Sequence, residues 1–160
     1  MNRPGMRKRK KSPLQFESLE RRKLLTTVVF EDALDSNWQN WSWDSNVDLN
    51  NRAIVASGEE SIQVTYEAGW AGLYLSVPDG TADAGDELTL SIHGGTNGGQ
   101  NIKVFVLDHA GEYLEGATIQ PTANNWTQVS ISMASVGNPQ ELTGIVFQEF
   151  TGSSQSAFYV

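Results

Sequence analysis

Aromatic rings and side-chain amides are the groups in this sequence that could do chemistry, and the chemistry they suit is sugar binding. The chain has five Trp and four Tyr. Sugar rings present flat C–H faces that stack on aromatic rings, whereas their hydroxyls need Asn, Gln, Asp or backbone partners. Aromatic residues are also ordinary core material, so the face of the strand on which each ring lies decides its role.

Two rings share one predicted strand face. From position 73 to position 77 the apolar residues fall on odd positions, so Trp70 and Tyr74 lie on the opposite face. At ~3.3 Å per residue the two rings would stand about 13 Å apart. Gly72 between them would leave an open floor for a sugar chain. We predict that Trp70 and Tyr74 bind carbohydrate; the alternative is a second apolar layer over the sheet.

Three more tryptophans, Trp38, Trp41 and Trp43, lie close together in the sequence. Trp41 and Trp43 share parity with Val47 and Leu49, so a continuous strand would put both rings in the core. Trp38 precedes that strand in a predicted loop. We keep Trp38 as a candidate carbohydrate-binding residue.

A glycine-rich loop at positions 94–99 is followed by two amide side chains, Gln100 and Asn101. We predict that both supply hydrogen bonds to a sugar; the alternative is a plain hairpin loop. A phosphate cradle is excluded, because no helix is predicted after the loop and no Lys occupies the P-loop position. Lys103 and Phe105 have the outward parity of the next predicted strand and would extend the same surface.

Oxygen ligands for a hard cation are available near the start of the predicted sandwich. Calcium takes six to eight oxygens, and Glu31 and Asp32 are the candidate ligands for a structural Ca²⁺. The alternative for these residues is a solvated acidic surface.

Catalytic signals are missing from the sequence. The chain has no Cys and only two His, which excludes disulfides, Cys-based zinc sites and thiol catalysis. Neither a Gly-x-Ser-x-Gly nor a His-Glu-x-x-His motif occurs. We therefore predict no catalytic residues and a protein that is not an enzyme.

Charge divides the chain into two unequal parts. Residues 1–25 carry nine Lys and Arg against two acidic residues, whereas residues 26–160 carry two basic residues against seventeen acidic ones, a net charge of −15. A body of that charge repels phosphate backbones, anionic lipid headgroups and acidic polysaccharides. The charge excludes nucleic acid as a partner and favours a neutral polysaccharide.

The elements that must position these residues are strands. Apolar residues alternate with mostly polar ones at 62–66, 88–92, 102–106 and 129–133, which is typical of half-buried strands. Gly, Asn and Pro turn signals separate these segments. We predict nine or ten strands in an all-β fold, an antiparallel β-sandwich of the jelly-roll type. No stretch approaches the roughly 20 apolar residues that a membrane span needs.

The N-terminal part, residues 1–26, is predicted to be a basic, disordered targeting segment ahead of the sandwich at 27–160. Its residues 16–25 resemble the LEPR-XLL sorting segment of exported planctomycete-type proteins, with Arg21 where that segment has Pro. The matching residues are Leu19, Glu20, Arg22, Leu24 and Leu25. The resemblance implies export to the cell surface or the extracellular space.

The body of the chain resembles non-catalytic jelly-roll modules of secreted polysaccharide-degrading enzymes and surface proteins. The segments that carry the resemblance are 29–34, 37–43, 69–74 and 94–101. The resemblance implies carbohydrate binding, often a structural Ca²⁺, and a catalytic domain missing from this chain. Such modules continue into acidic residues after a Phe-Tyr-Val-like stretch, whereas this chain stops at Val160, so we expect a module truncated at its C-terminal end.

A second function from another class stays open. The same sandwich could be a surface-structural or adhesive domain with no glycan site. Burial of all five Trp would favour that alternative, whereas an outward pair at Trp70 and Tyr74 would favour glycan binding.

Overall fold

The computed structural model describes residues 27–160, so the segment that resembles LEPR-XLL lies outside the described residues. The described chain is all-β, with two antiparallel sheets stacked as a β-sandwich, which confirms the predicted fold class. The strands are β1 (Gln39–Asn40), β2 (Ser45–Asn51), β3 (Ser61–Tyr66), β4 (Gly72–Ser76), β5 (Ala82–Asp83), β6 (Glu87–His93), β7 (Ile102–Asp108), β8 (Tyr113–Ile119), β9 (Trp126–Ser132), β10 (Glu141–Glu149) and β11 (Gln155–Tyr159).

Strands that are neighbours in the sheets are often far apart in the sequence. The first sheet has the order β1-β4-β10-β7-β8, with β5 also paired to β10, and the second has the order β2-β3-β11-β6-β9. Because β10 lies between β4 and β7, residues from the early, middle and late parts of the chain meet on one outer face. This face of the first sheet carries the candidate site.

The core lies between the inner faces of the two sheets. Leu73, Val104 and Phe147 from the first sheet and Val64 and Phe158 from the second are all buried. Burying each such side chain stabilises the fold by roughly 1.5–3 kcal/mol. The alternation read from the sequence therefore identified Val64, Leu73 and Val104 as inward residues.

A short 3-10 helix at Met133–Val136 follows β9 and ends at Gly137, whose φ of 91° is left-handed. Glycine adopts this conformation without steric cost, so it ends the helix. None of the helical structure within residues 27–160 has the length and apolar character needed to cross a bilayer.

The placement predicted for Trp41 and Trp43 was wrong. Trp41 is 51% exposed and Trp43 is half-buried, although Val47 and Leu49 pack against the core as expected. The strand is not continuous: Asp44 has a φ of 48°, and the chain passes there from β1 in the first sheet to β2 in the second. A left-handed residue breaks the two-residue period, so the parity after Asp44 says nothing about the residues before it.

Candidate functional site

Three aromatic rings form a cluster on the outer face of the first sheet. The ring centroid of Tyr74 lies 5.9 Å from that of Trp41 and 6.4 Å from that of Trp43, with interplanar angles of 86° and 76°. We call these three residues the aromatic platform. Two of its members lie just before Asp44, in the segment that sequence parity assigned to the core.

Two glycines seat the platform on the sheet. A Cβ at Gly72 would lie 2.4 Å from Cη2 of Trp43, and a Cβ at Gly144 would lie 2.5 Å from Cε2 of Tyr74. Such separations are impossible for real side chains, so only glycine lets the rings lie this close to the backbone. Gly72 is therefore covered by the Trp43 ring and is not the open floor that the sequence suggested.

Hydrogen bonds fix the segment that carries the two platform tryptophans. The Trp41 amide donates to the Tyr74 carbonyl at 2.8 Å, and the Trp43 amide donates to the Gly72 carbonyl at 3.1 Å. Ser42 Oγ accepts from the Tyr74 amide at 3.0 Å. The Trp41 indole donates to Gln39 Oε1 at 3.1 Å. The rings are thus held in place by partners within the protein itself.

Trp70 lies beside the platform and is the most exposed of these rings, at 59%. Its φ of 64° is left-handed. Its carbonyl oxygen accepts from Trp43 Nε1 at 2.8 Å and from Gln148 Nε2 at 3.3 Å. Trp70 is thus outward and Tyr74 is half-buried on the outer face, as the sequence predicted for the orientation of both residues.

Polar groups border the platform on β7, β8 and β10. Lys103 Nζ lies 3.2 Å from Glu115 Oε1 and 5.4 Å from the ring centroid of Phe150. On the same face, Gln148 is paired with Lys103 and with Gly72. The outward parity predicted for Lys103 is confirmed.

A second aromatic pair, Phe105 and Tyr113, extends the same face, with ring centroids 5.6 Å apart. Val146 lies between Tyr74 and Phe105 in the register of the sheet. Burial and the neighbouring Tyr74 phenol raise the pKa of Tyr113. Tyr113 itself is 51% exposed.

Two residues that the sequence proposed for sugar binding have other positions. Trp38 is only 5% exposed and belongs to the core cluster, because its ring packs inward before β1 begins. Gln100 is buried, and its Nε2 donates to the carbonyls of Gly94 at 3.0 Å and Ala157 at 2.9 Å. Neither side chain is available on the surface, which corrects the prediction for both.

Asn101 is half-buried and is used within the protein. Its Oδ1 accepts from Gln120 Nε2 at 2.6 Å, and its amide donates to Gln155 Oε1 at 2.7 Å. These bonds use the side-chain oxygen and the backbone N–H, so sugar binding by the Asn101 side chain stays a prediction.

Asp32 has a structural role that the sequence did not indicate. Its Oδ1 accepts from the amides of Glu59 at 2.6 Å and Glu60 at 3.0 Å, and these bonds lower the pKa of its carboxyl. Glu31 is exposed, and no three His, Cys, Asp or Glu side chains converge within the described part of the chain. The pair as it stands does not fit a Ca²⁺ site, and calcium binding there stays a prediction.

Comparisons with known proteins bear on the fold. The chain is 26% identical over 144 residues to an endoglucanase of Dictyostelium discoideum, an alignment covering 82% of this chain and 20% of the endoglucanase. The chain thus spans about a fifth of the length of that relative. No protein-family model matches the chain.

The fold is similar to that of solved carbohydrate-binding modules of family 29. A mutant complexed with cellulohexaose is 18% identical, with a TM-score of 0.60, over 83% of this chain and 84% of that chain. A mutant complexed with mannohexaose is 19% identical, with a TM-score of 0.61 and the same coverage. At these identities the likeness shows that the β-sandwich described above is the fold that those modules have.

Proposed function

We propose that this β-sandwich binds a neutral polysaccharide without catalysing a reaction on it, and that the aromatic platform carries the binding. The observation that supports the proposal most is the seating of Trp43 and Tyr74 on Gly72 and Gly144. Rings that served only to fill a core would face inward, whereas these rings lie on the outer face of a sheet.

The physical basis is stacking on a preorganised surface. Aromatic stacking of a planar ligand contributes roughly 1–3 kcal/mol per ring, taking nucleobases as the analogue. Because the hydrogen bonds of Trp41 and Trp43 already fix their segment, little conformational entropy is lost on binding. Trp70, Tyr113, Lys103 and Gln148 would supply further ring surface and hydrogen bonds at the border.

The charge of the body and the comparisons support the choice of ligand. Residues 26–160 hold two basic against seventeen acidic residues, which disfavours anionic glycans. The solved relatives are described as complexed with cellulohexaose and mannohexaose, both neutral. The endoglucanase match over a fifth of its length is compatible with a binding module joined to a catalytic domain. We also propose that the protein is exported and that residues 1–26 direct its export.

Exposure of two tryptophans favours glycan binding over a purely structural or adhesive role. Trp41 is 51% exposed and Trp70 is 59% exposed. A sandwich whose aromatic residues served only its core would bury these rings.

Calorimetric titration of residues 27–160 with cellulohexaose and with mannohexaose tests the proposal. We expect binding to at least one, and an affinity at least tenfold lower in Trp41→Ala. Trp126→Ala is the matched control, because Trp126 is a half-buried Trp on the outer face of the second sheet, against His93. Absence of binding to both sugars and to insoluble polysaccharides, or equal affinity in Trp41→Ala and the unmodified chain, would contradict the proposal.

A further inference from the structure

A fully buried carboxylate, Glu149, lies at the end of β10, beside the backbone of Trp70. Its side chain is 0% exposed. Five hydrogen bonds reach it, from the amides of Trp70, Thr151 and Gly152, the Thr151 hydroxyl and the Gln155 side-chain amide. Neither Lys nor Arg is among these partners.

Every one of these partners is a donor, and the donors are divided between the two carboxylate oxygens. Oε2 accepts from the amides of Trp70 at 2.8 Å and Gly152 at 2.9 Å. Oε1 accepts from Thr151 and from Gln155 Nε2, the latter at 2.7 Å. A glutamine at position 149 would set its NH₂ group against one of these two sets of donors. Only an ionised carboxylate satisfies both sets.

The Trp70 peptide connects this carboxylate to the platform. Its N–H donates to Glu149, while its C=O accepts from the Trp43 indole and from the Gln148 amide. Trp70 is in the left-handed conformation, which a non-glycine residue adopts only where its surroundings enforce it. The hydrogen bond to the buried Glu149 carboxylate is one of the contacts that hold Trp70 in this conformation.

We propose that Glu149 is a positioning residue of the glycan site: its carboxylate holds the Trp70 peptide, which anchors the Trp43 ring and presents the Trp70 ring to the ligand. This inference rests on the proposed function. The competing role is closure of the turn at Thr151–Gln155, which uses the other bonds of the same carboxylate. Only the positioning role depends on the hydrogen bond from the Trp70 amide to Glu149.

Three variants separate them. Glu149→Gln disturbs both roles. Thr151→Ala removes one donor from the turn and leaves the Trp70 bond in place, so it is the matched control. Trp70→Gly removes the indole but keeps the peptide N–H and C=O, and glycine accepts a φ of 64° without strain.

Cellulohexaose affinity is measured well below the melting temperature of each variant, together with the NMR signal of the Trp43 indole N–H. We expect at least a tenfold loss of affinity and a shifted indole signal in Glu149→Gln. We expect less than a twofold loss and an unmoved signal in Thr151→Ala. Adding Glu149→Gln to Trp70→Gly should weaken binding further, because Trp43 loses its anchor. An affinity within twofold of the unmodified chain and an unmoved Trp43 signal in Glu149→Gln would overturn the positioning role.

The positioning role can be judged separately from glycan binding. If the unmodified chain binds no sugar, the proposed function fails, while the Trp43 indole signal in Glu149→Gln still tests the positioning role. If Glu149→Gln does not fold, hydrogen exchange in the unmodified chain replaces it. The amide of Trp70 and the indole N–H of Trp43 should both exchange slowly despite the exposure of Trp70, and rapid exchange at either would overturn the inference.

Discussion

The indole nitrogen of Trp43 donates a hydrogen bond to the backbone carbonyl of Trp70 at 2.8 Å, joining residues 27 positions apart in the sequence. The bond ties a ring that lies on the sheet to the residue that carries the most exposed ring beside it. The position of the Trp43 ring therefore depends on the backbone around Trp70 as well as on its own segment.

Gly72→Ala should weaken glycan binding in a protein that still folds. The new Cβ would lie 2.4 Å from Trp43 Cη2, so the ring must leave its seat on the sheet. We expect at least a fivefold loss of cellulohexaose affinity in calorimetry, with overpacking costing about 1–3 kcal/mol of the free energy of unfolding. Gln128→Ala, an exposed change on edge strand β9 of the second sheet, is the control. Unchanged affinity in a folded Gly72→Ala protein would show that the Trp43 ring does not contact the ligand.

Sequence periodicity predicted the sandwich well because alternation records which face of a strand is buried. It placed Val64, Leu73 and Val104 inward and Tyr74 and Lys103 outward, as the structure has them. Each of these residues lies within an unbroken strand, where a period of two holds throughout.

The site was only partly predictable, for two physical reasons. Parity failed at Trp41 and Trp43 because the left-handed conformation of Asp44 is a backbone event that an Asp in the sequence does not specify. Glu149 gave no signal because Thr151, Gly152 and Gln155 bond it only in the conformation of the following turn, and Trp70 is brought to it only by folding. The error at Trp38 is in the opposite direction: it was expected in a loop, as a candidate carbohydrate-binding residue, but it packs into the core.

Stability should fall in acid because of Glu149. Burial raises the pKa of this carboxyl, but the hydrogen bonds from the Thr151 hydroxyl and from the amides of Trp70, Thr151 and Gly152 outweigh burial and lower the pKa from 4.5 to about 2. A depressed pKa contributes stability that is complete above about pH 4.5 and is lost as the pH falls toward 2. The difference corresponds to roughly 3 kcal/mol at neutral pH.

Urea unfolding between pH 7 and pH 2 measures this contribution. We expect Glu149→Gln to be less stable than the unmodified chain at pH 7, with the difference shrinking below pH 4.5. Glu141→Gln, at an exposed glutamate of the same strand, should follow the unmodified chain. A constant difference between Glu149→Gln and the unmodified chain across this range would contradict the assignment.

If Glu31 and Asp32 bind calcium, a chelator should lower the melting temperature of the protein. A cation that binds only the folded chain raises its melting temperature, so excess EDTA should lower it, whereas EDTA already saturated with Ca²⁺ should not. Glu31→Gln should abolish the effect and is preferable to a change at Asp32, which also accepts the amides of Glu59 and Glu60. A melting temperature unaffected by EDTA would remove calcium from these residues.

Asp44 should tolerate glycine and reject a β-branched residue, because it marks the passage between the sheets. Its φ of 48° is accessible to Gly and Asp but strained for Val. We expect Asp44→Val to lose about 1–3 kcal/mol of stability and to weaken cellulohexaose binding, because the strain falls next to Trp43. Asp44→Gly should keep both properties. The matched control is Asn46→Val, an exposed position within the regularly paired part of strand β2, where a β-branched residue is favourable. Equal stability and affinity in Asp44→Val and Asn46→Val, measured by urea unfolding and calorimetry, would show that the left-handed residue does not set the position of the platform.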